Sequence, residues 1–208
     1  MIATRRVGSE LSATRTVILD TTERLMIEEG YAAVSTRRVA AVAGLKPALV
    51  HYYFVTTDDL FLATYRRAAD RYYERLATAI ESSQPVKAMW ELSMNPSRTT
   101  LAVEFMALAN HRKTIGAEIA RNIERTRDLH AELLSRLPCS PINSRICPPI
   151  AMSLLIAAVT RTLVIEDALG VSSGHAETQA FVDWWIKQYE GPSRAAPRQK
   201  RAVKPKKK

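Results

Sequence analysis

Apolar residues recur at helical spacing along most of the chain, and alternating strand patterns are hard to find. The segment from Thr14 to Glu29 shows the spacing clearly, with apolar side chains at Ile18, Leu25 and Met26. Because positions three and four residues apart line one face of an α-helix, this segment predicts an amphipathic helix. Glycine is scarce, with 7 of 208 residues. The whole pattern predicts an all-α fold of about nine helices.

Residues 35–54 predict two short helices separated by a glycine turn. Ser35 can accept a hydrogen bond from a free amide at the start of the first helix. Gly44 can end that helix, since glycine adopts the left-handed conformation without a steric penalty. Pro47 can open the second helix, where its missing N–H is tolerated. This layout is typical of a helix-turn-helix unit that reads DNA.

A longer helix is predicted after this unit. Thr56 with Asp59 three residues later fits a capping box, and the helix can run to about Ser82. At 1.5 Å per residue it would span on the order of 40 Å. That length is enough to connect a DNA-binding head to a separate body.

Residues 13 to about 72 resemble the TetR-type transcriptional regulators. The shared pattern is a capped helix, an Ala-Gly turn, a short recognition helix, aromatic residues ending at Phe54 and a capped linking helix. The resemblance implies a sequence-specific DNA-binding regulator, expected to be a ligand-responsive repressor that binds an inverted-repeat operator as a homodimer. An activator of the same fold and a nonspecific nucleoid binder remain the alternatives. The corresponding divisions are a flexible arm (1–12), the DNA-binding head (13–72, motif 35–54), a helical effector-binding and dimerisation body (73–190) and a basic tail (191–208).

The recognition helix and its flanks supply the candidate DNA contacts. We expect four side chains to face base edges in the major groove: Lys46, Pro47, Ala48 and Leu49. Phosphate contacts are expected from Thr36, Arg37, His51, Tyr52, Tyr53 and the amides near Thr57. For Tyr52 and Tyr53 the alternative is packing against the linking helix, and for Phe54 packing is the preferred interpretation.

The net charge of +9 is concentrated at one end of the chain. Residues 191–208 hold eight Lys and Arg residues and no acid, so the rest of the chain carries only +1. The tail has no apolar stripe and is predicted to be disordered. It can bind phosphates without sequence preference, or it can serve only to keep the protein in solution.

Two apolar segments near the C-terminus predict a dimer interface. The helix at 149–170 carries Leu155, Val159, Thr162, Leu163 and Glu166 along one side, and the helix at 175–190 carries Phe181, Trp184, Trp185 and Gln188. Two such helices from each subunit can form a four-helix interface. The alternative is that both helices complete the monomer's own core.

The region between the head and these helices holds the candidate effector site. Aromatic, Met and His side chains from several helices could line an apolar cavity, namely Trp90, Met94, Phe105, Met106, His111 and Met152. An ordinary core uses the same residue types, so core packing remains the alternative for each of them. The ligand's identity is not encoded in a recognisable motif.

Other chemistry is not predicted by the sequence. The four histidines lie on separate segments and no hydrolase, metalloprotease or phosphate-loop motif is present, so we expect no catalytic residues, no metal and no cofactor. Cys139 and Cys147 lie within a Pro-rich loop joining two long helices, where unpaired thiols are favoured over a redox disulfide. The apolar run from Pro149 to Thr160 is interrupted by Arg161, which predicts a cytoplasmic protein without a membrane span.

Overall fold

The computed structural model describes residues 12–136 and 147–190, apart from the side chain of Tyr189. Within these ranges the chain forms nine α-helices, one short 3-10 turn at Tyr31–Ala33 and no strand, so the all-α prediction is confirmed. The helices are α1 (Ala13–Glu29), α2 (Thr36–Val42), α3 (Pro47–Tyr53), α4 (Thr57–Ile80), α5 (Pro85–Ser93), α6 (Pro96–Ala109), α7 (Lys113–Ser135), α8 (Pro149–Ala168) and α9 (His175–Glu190). The predicted arm up to residue 11, Cys139 and the basic tail lie outside the described residues.

Short polar side chains set the starts of several helices. The Ser35 hydroxyl accepts from the backbone N–H of Arg38 at 3.1 Å, as predicted from the sequence. Asn95 caps α6 in the same way. Its side-chain oxygen accepts a hydrogen bond from the backbone N–H of Arg98 at 2.9 Å. These contacts satisfy amides that have no partner inside the helix. The cap that the sequence predicts at Ser35 is thus observed.

The capping box of α4 is formed in full. The Asp59 N–H donates to the Thr56 hydroxyl at 3.0 Å, and the Thr56 N–H donates to the Asp59 carboxylate at 2.9 Å. We expect Thr56→Ala to lower the free energy of unfolding by about 1 kcal/mol, because one of these amides loses its acceptor. Urea denaturation followed by circular dichroism measures the change. Thr78→Ala is the matched control, since Thr78 is exposed in the last turn of the same helix and its hydroxyl donates to the Glu74 carbonyl without capping an amide. An equal loss there would contradict the assignment.

Two apolar cores hold the helices together. The first joins the head to the middle of the chain, since α1 to α4 pack against Leu101 and Phe105 of α6 and Ile115 of α7. The second joins the C-terminal part of α4 to α5, the end of α7, α8 and α9. The core of the head therefore extends beyond residue 72, and α6 takes part in it directly.

Helix α8 is long and apolar enough to cross a membrane by length and composition alone, with a mean hydropathy of 1.6. The expectation that Arg161 makes this segment too short is therefore wrong, because the helix continues through Arg161 for a total of 20 residues. In the fold, one side of α8 is buried in the protein core, including Met152, Ile156 and Leu163. The apolar composition of α8 thus has a packing role, and its outer side stays exposed.

Candidate nucleic-acid interface and adjoining cavity

The turn between α2 and α3 is fixed by a glycine and a backbone hydrogen bond. Gly44 has φ of +67°, a conformation that favours glycine. The Leu45 N–H donates to the carbonyl of Ala40 at 2.8 Å, which closes the turn. Val39 of α2 and Val50 of α3 are fully buried. Because one side of α3 is anchored in this way, the opposite side has a defined direction.

The start of α3 faces solvent. Lys46, Pro47 and Ala48 are exposed, and Leu49 is half-buried. Pro47 occupies the first turn, where its missing N–H costs no helical hydrogen bond. The structure thus brings together, on one free surface, the four side chains predicted to face base edges.

Among the predicted phosphate contacts, Arg37 and Thr36 differ in their surroundings. Arg37 is exposed. Thr36 is 8% exposed, and its hydroxyl lies 3.2 Å from Nε2 of the exposed His51. The neighbouring Arg38 pairs with Glu29 at 2.9 Å, so its charge is compensated within the protein. Arg37 and Lys46 therefore supply the cationic character of this surface.

The aromatic residues at the end of α3 divide between surface and core. Tyr52 is 43% exposed, whereas Phe54 is 4% exposed and belongs to the core of the head. Tyr53 is half-buried, and its hydroxyl lies 2.7 Å from the Ser12 hydroxyl. Thr57, half-buried, begins α4 beside these residues. Packing is thus the observed role of Phe54, and Tyr53 has both a packing role and a hydroxyl near the surface.

A cavity of about 250 Å³ lies between α4, α6, α7 and α8. Of the six residues predicted to line it, Phe105 and Met106 do so. The other four do not line this cavity, so a role for them in ligand binding stays a prediction. Trp90 and Met152 are buried in the second core, Met94 packs against that core, and His111 is exposed.

Sequence reasoning missed a buried polar group in the cavity wall. The Tyr72 hydroxyl lies 2.6 Å from Nε2 of His130, and the Ser153 hydroxyl lies 3.4 Å from Nδ1 of the same ring. Burial lowers the pKa of His130 to about 4, with the Arg98 charge as a smaller cause. His130 is therefore neutral at neutral pH. A signal was present, because Ile119, Ile123 and His130 follow helical spacing on the inner face of α7.

The described residues contain no group of three or more His, Cys, Asp or Glu side chains arranged to hold a metal ion. Cys147 is half-buried and is not in a disulfide with any residue of the described ranges. Its predicted relation to Cys139 lies outside those ranges.

Some of the residues predicted to form the dimer interface on α8 and α9 are buried within the single chain, and others are exposed. Leu163 and Trp185 are buried in the monomer's own core, at 7% and 5% exposure, so they do not belong to an outer face as expected. Leu155 is about half exposed, as are Phe181 at 59% and Trp184 at 54%. The Phe181 and Trp184 rings lie 5.8 Å apart between centroids. We refer to these exposed apolar side chains on the two helices as the α8–α9 patch, within which Phe181 and Trp184 are in contact.

Comparisons with known proteins agree with this geometry. The family model of bacterial regulatory proteins of the tetR family matches residues 18–64, which run from α1 into α4. The transcriptional repressor AcnR of Corynebacterium diphtheriae is 27% identical over 130 residues, or 62% of this chain. The matched segment spans 66% of that relative's own length, just under two thirds.

Solved structures share the fold across nearly their whole length. A TetR transcriptional regulator from Legionella pneumophila aligns with a TM-score of 0.69 at 17% identity, covering 85% of this chain and 98% of that one. A protein from Saccharomonospora viridis, crystallised in complex with choline, aligns with a TM-score of 0.68 at 17% identity and covers 82% of this chain and 95% of that one. Residues 18–64 thus match the tetR family of bacterial regulatory proteins, and the described residues share the fold of these solved structures.

Proposed function

We propose that this protein is a sequence-specific transcriptional regulator that binds an inverted-repeat DNA operator as a homodimer in the cytoplasm. A repressor whose DNA affinity responds to a small molecule is the form that the family and the repressor relative favour. The observation that carries the proposal is the free surface at the start of α3. Lys46, Pro47 and Ala48 are exposed there while Val50 is fully buried behind them.

This surface fits a major groove. A groove about 12 Å wide admits one α-helix, and its base edges are reached by the first residues of that helix. The Lys46 ammonium can donate to guanine, and the Ala48 methyl group can contact a thymine methyl group. Arg37, exposed at the start of α2, is placed to meet the phosphate backbone beside them.

One such helix reads too few base pairs for a specific site, so a pair of heads is required. Phe181 and Trp184 of the α8–α9 patch support pairing, because neighbouring exposed aromatic side chains commonly mark an interface. Phe181 and Trp184 are each more than half exposed in the single chain. Packing of two copies of α8 and α9 against each other would bury them.

We propose that α6 connects the cavity to the head. Phe105 and Met106 of this helix line the cavity. Glu104 of the same helix accepts the backbone N–H of Tyr31 at 2.7 Å, directly after α1. A ligand that shifts α6 would therefore move the α1 end of the head, and DNA and ligand would oppose each other reciprocally. The linking helix α4, which also lines the cavity through Tyr65 and Tyr72, is the second route.

Selection of duplexes from a random pool tests the proposal, with the native protein compared with Lys46→Ala and Arg37→Ala. The native protein should enrich an inverted repeat. Lys46→Ala should lose discrimination at one base pair of each half-site, worth about 1 to 3 kcal/mol. Arg37→Ala should weaken all duplexes alike and reduce the slope of log affinity against log salt by about 1 per subunit.

Enrichment of no common sequence would contradict the proposal and favour a nonspecific binder driven by the basic tail. A change of sequence preference with Arg37→Ala but none with Lys46→Ala would contradict the assigned roles. Reporter expression from a promoter bearing the selected site then distinguishes repression from activation.

A further inference from the structure

Three arginine side chains line the cavity, and they come from three different helices. Arg98 belongs to α6, Arg127 to α7 and Arg161 to α8. The Arg98 guanidinium lies over the Tyr72 ring, with Cζ 4.1 Å from the ring centroid. The three residues are far apart in sequence, so only the packing of the helices brings their charges to one place.

No acidic side chain balances these charges in the described ranges. The cavity lining contains no Asp or Glu, and none of the three arginines forms an ion pair there. Some arginines elsewhere in the same ranges do have such partners, as Arg66 has Glu118 at 2.8 Å. Outside the described ranges the sequence holds a single acidic side chain, Glu10. The three positive charges at the cavity are thus not neutralised by a carboxylate in the cavity wall.

The arrangement is unfavourable for the protein alone. Burial lowers the pKa of Arg161, and the charges of Arg98 and Arg127 lower it further. Arg98 and Arg127 are half-buried and Arg161 is exposed, so water screens the repulsion among the three charges only in part. An anion placed among the three guanidinium groups would relieve this repulsion, since each guanidinium can donate two parallel hydrogen bonds to a carboxylate or phosphate.

The remaining wall of the cavity is largely apolar. It includes Leu101, Phe105, Ile119 and Ala157. The volume of about 250 Å³ exceeds the roughly 150 Å³ of a cavity known to admit benzene. A ligand that fits therefore has both an anionic group and an apolar body of moderate size.

We propose that the effector of this protein is an organic oxyanion, a small molecule that joins a carboxylate or phosphate group to an apolar body and is bound through Arg98, Arg127 and Arg161. The inference rests on the ligand response proposed above. It sets this protein apart from the choline-bound structural relative, because choline is a cation and three guanidinium groups would repel it.

Matched eight-carbon probes test the charge preference. Octanoate, octyl phosphate, octanamide and octylammonium are titrated into the full-length protein by calorimetry, without DNA. At least one of the two anions should bind about 10-fold or more tightly than the amide, because charge-assisted hydrogen bonds are stronger than neutral ones. The ammonium should bind more weakly still. The two anions compared with each other identify the favoured headgroup.

Charge-removing variants test the residues. Arg127→Met and Arg161→Met should each reduce the preference for anion over amide, and Arg125→Met is the matched control. Arg125 is on α7 as well, but its guanidinium lies over the Tyr73 ring, 4.2 Å from the centroid, and does not line the cavity. The melting temperature of each variant verifies folding, and the double variant Arg127→Met, Arg161→Met provides a second reading if either single change has a small effect.

The inference is wrong if the amide or the ammonium binds as tightly as the anions or more tightly. It is also wrong if neither anion binds at millimolar concentration, or if the double variant still prefers the anions over the amide. Failure of the ligand response would look different. In that case the anion binds with the expected preference, yet operator affinity measured with and without it is the same.

Discussion

Replacing Ala48 by Glu is expected to weaken operator binding by on the order of 100-fold, because a carboxylate placed beside base edges and phosphates repels DNA at close range. Ala48 is exposed on the free side of α3, in the first turn of the helix. The new side chain has room in the free protein, so stability should change little. Fluorescence anisotropy with the selected duplex measures the loss.

Ala77→Glu is the matched control for Ala48→Glu. Ala77 is exposed on α4, away from the α3 surface and outside the cavity lining. The substitution adds the same charge to the protein, so it reports any effect of net charge alone. Equal affinities for Ala48→Glu and the native protein would show that α3 does not enter the groove. Equal losses in both variants would show that charge, and not position, is responsible.

Replacing Trp184 by Glu is expected to dissociate the dimer and, with it, to abolish tight operator binding. Trp184 is 54% exposed in the single chain, and its ring is tilted by 35° relative to the neighbouring Phe181 ring. Aromatic residues at the centre of an interface commonly contribute about 2 to 4 kcal/mol each. In a symmetric dimer the change occurs twice, and each Glu would also be buried without a partner.

Sedimentation velocity measures the change in assembly. The native protein and Ala77→Glu should sediment as dimers at micromolar concentration, whereas Trp184→Glu should sediment as a folded monomer with native helical content. Operator affinity of the Trp184→Glu variant should fall to that of a single head. A Trp184→Glu variant that remains dimeric would place the interface elsewhere on the protein.

Local chemistry made the helix starts predictable. Ser35 and Thr56 are small polar residues that satisfy amides within three residues of themselves, so sequence spacing contains the necessary information. The direction of α3 was predictable for a similar reason, because Val50 is its fully buried apolar residue and the opposite side must be free.

The cavity and the dimer face were less predictable because they depend on packing between distant helices. Arg98, Arg127 and Arg161 each have the sequence context of a solvated helix surface, and only the relative placement of α6, α7 and α8 gathers them. Trp185 and Trp184 are adjacent in sequence, yet one is buried and the other exposed. Adjacent residues point about 100° apart around a helix. Composition alone does not determine which of the two tryptophans faces the core.

Methylation interference on the selected operator shows whether α3 enters the major groove once in each subunit of a dimer. Methyl groups on guanine N7 lie in the major groove, and those on adenine N3 lie in the minor groove. We predict interference by N7 methylation in two clusters separated by one helical turn or a multiple of it, on the order of 10 base pairs. Interference by N3 methylation alone would contradict entry of α3 into the major groove. N7 interference in a single cluster would contradict binding by both subunits.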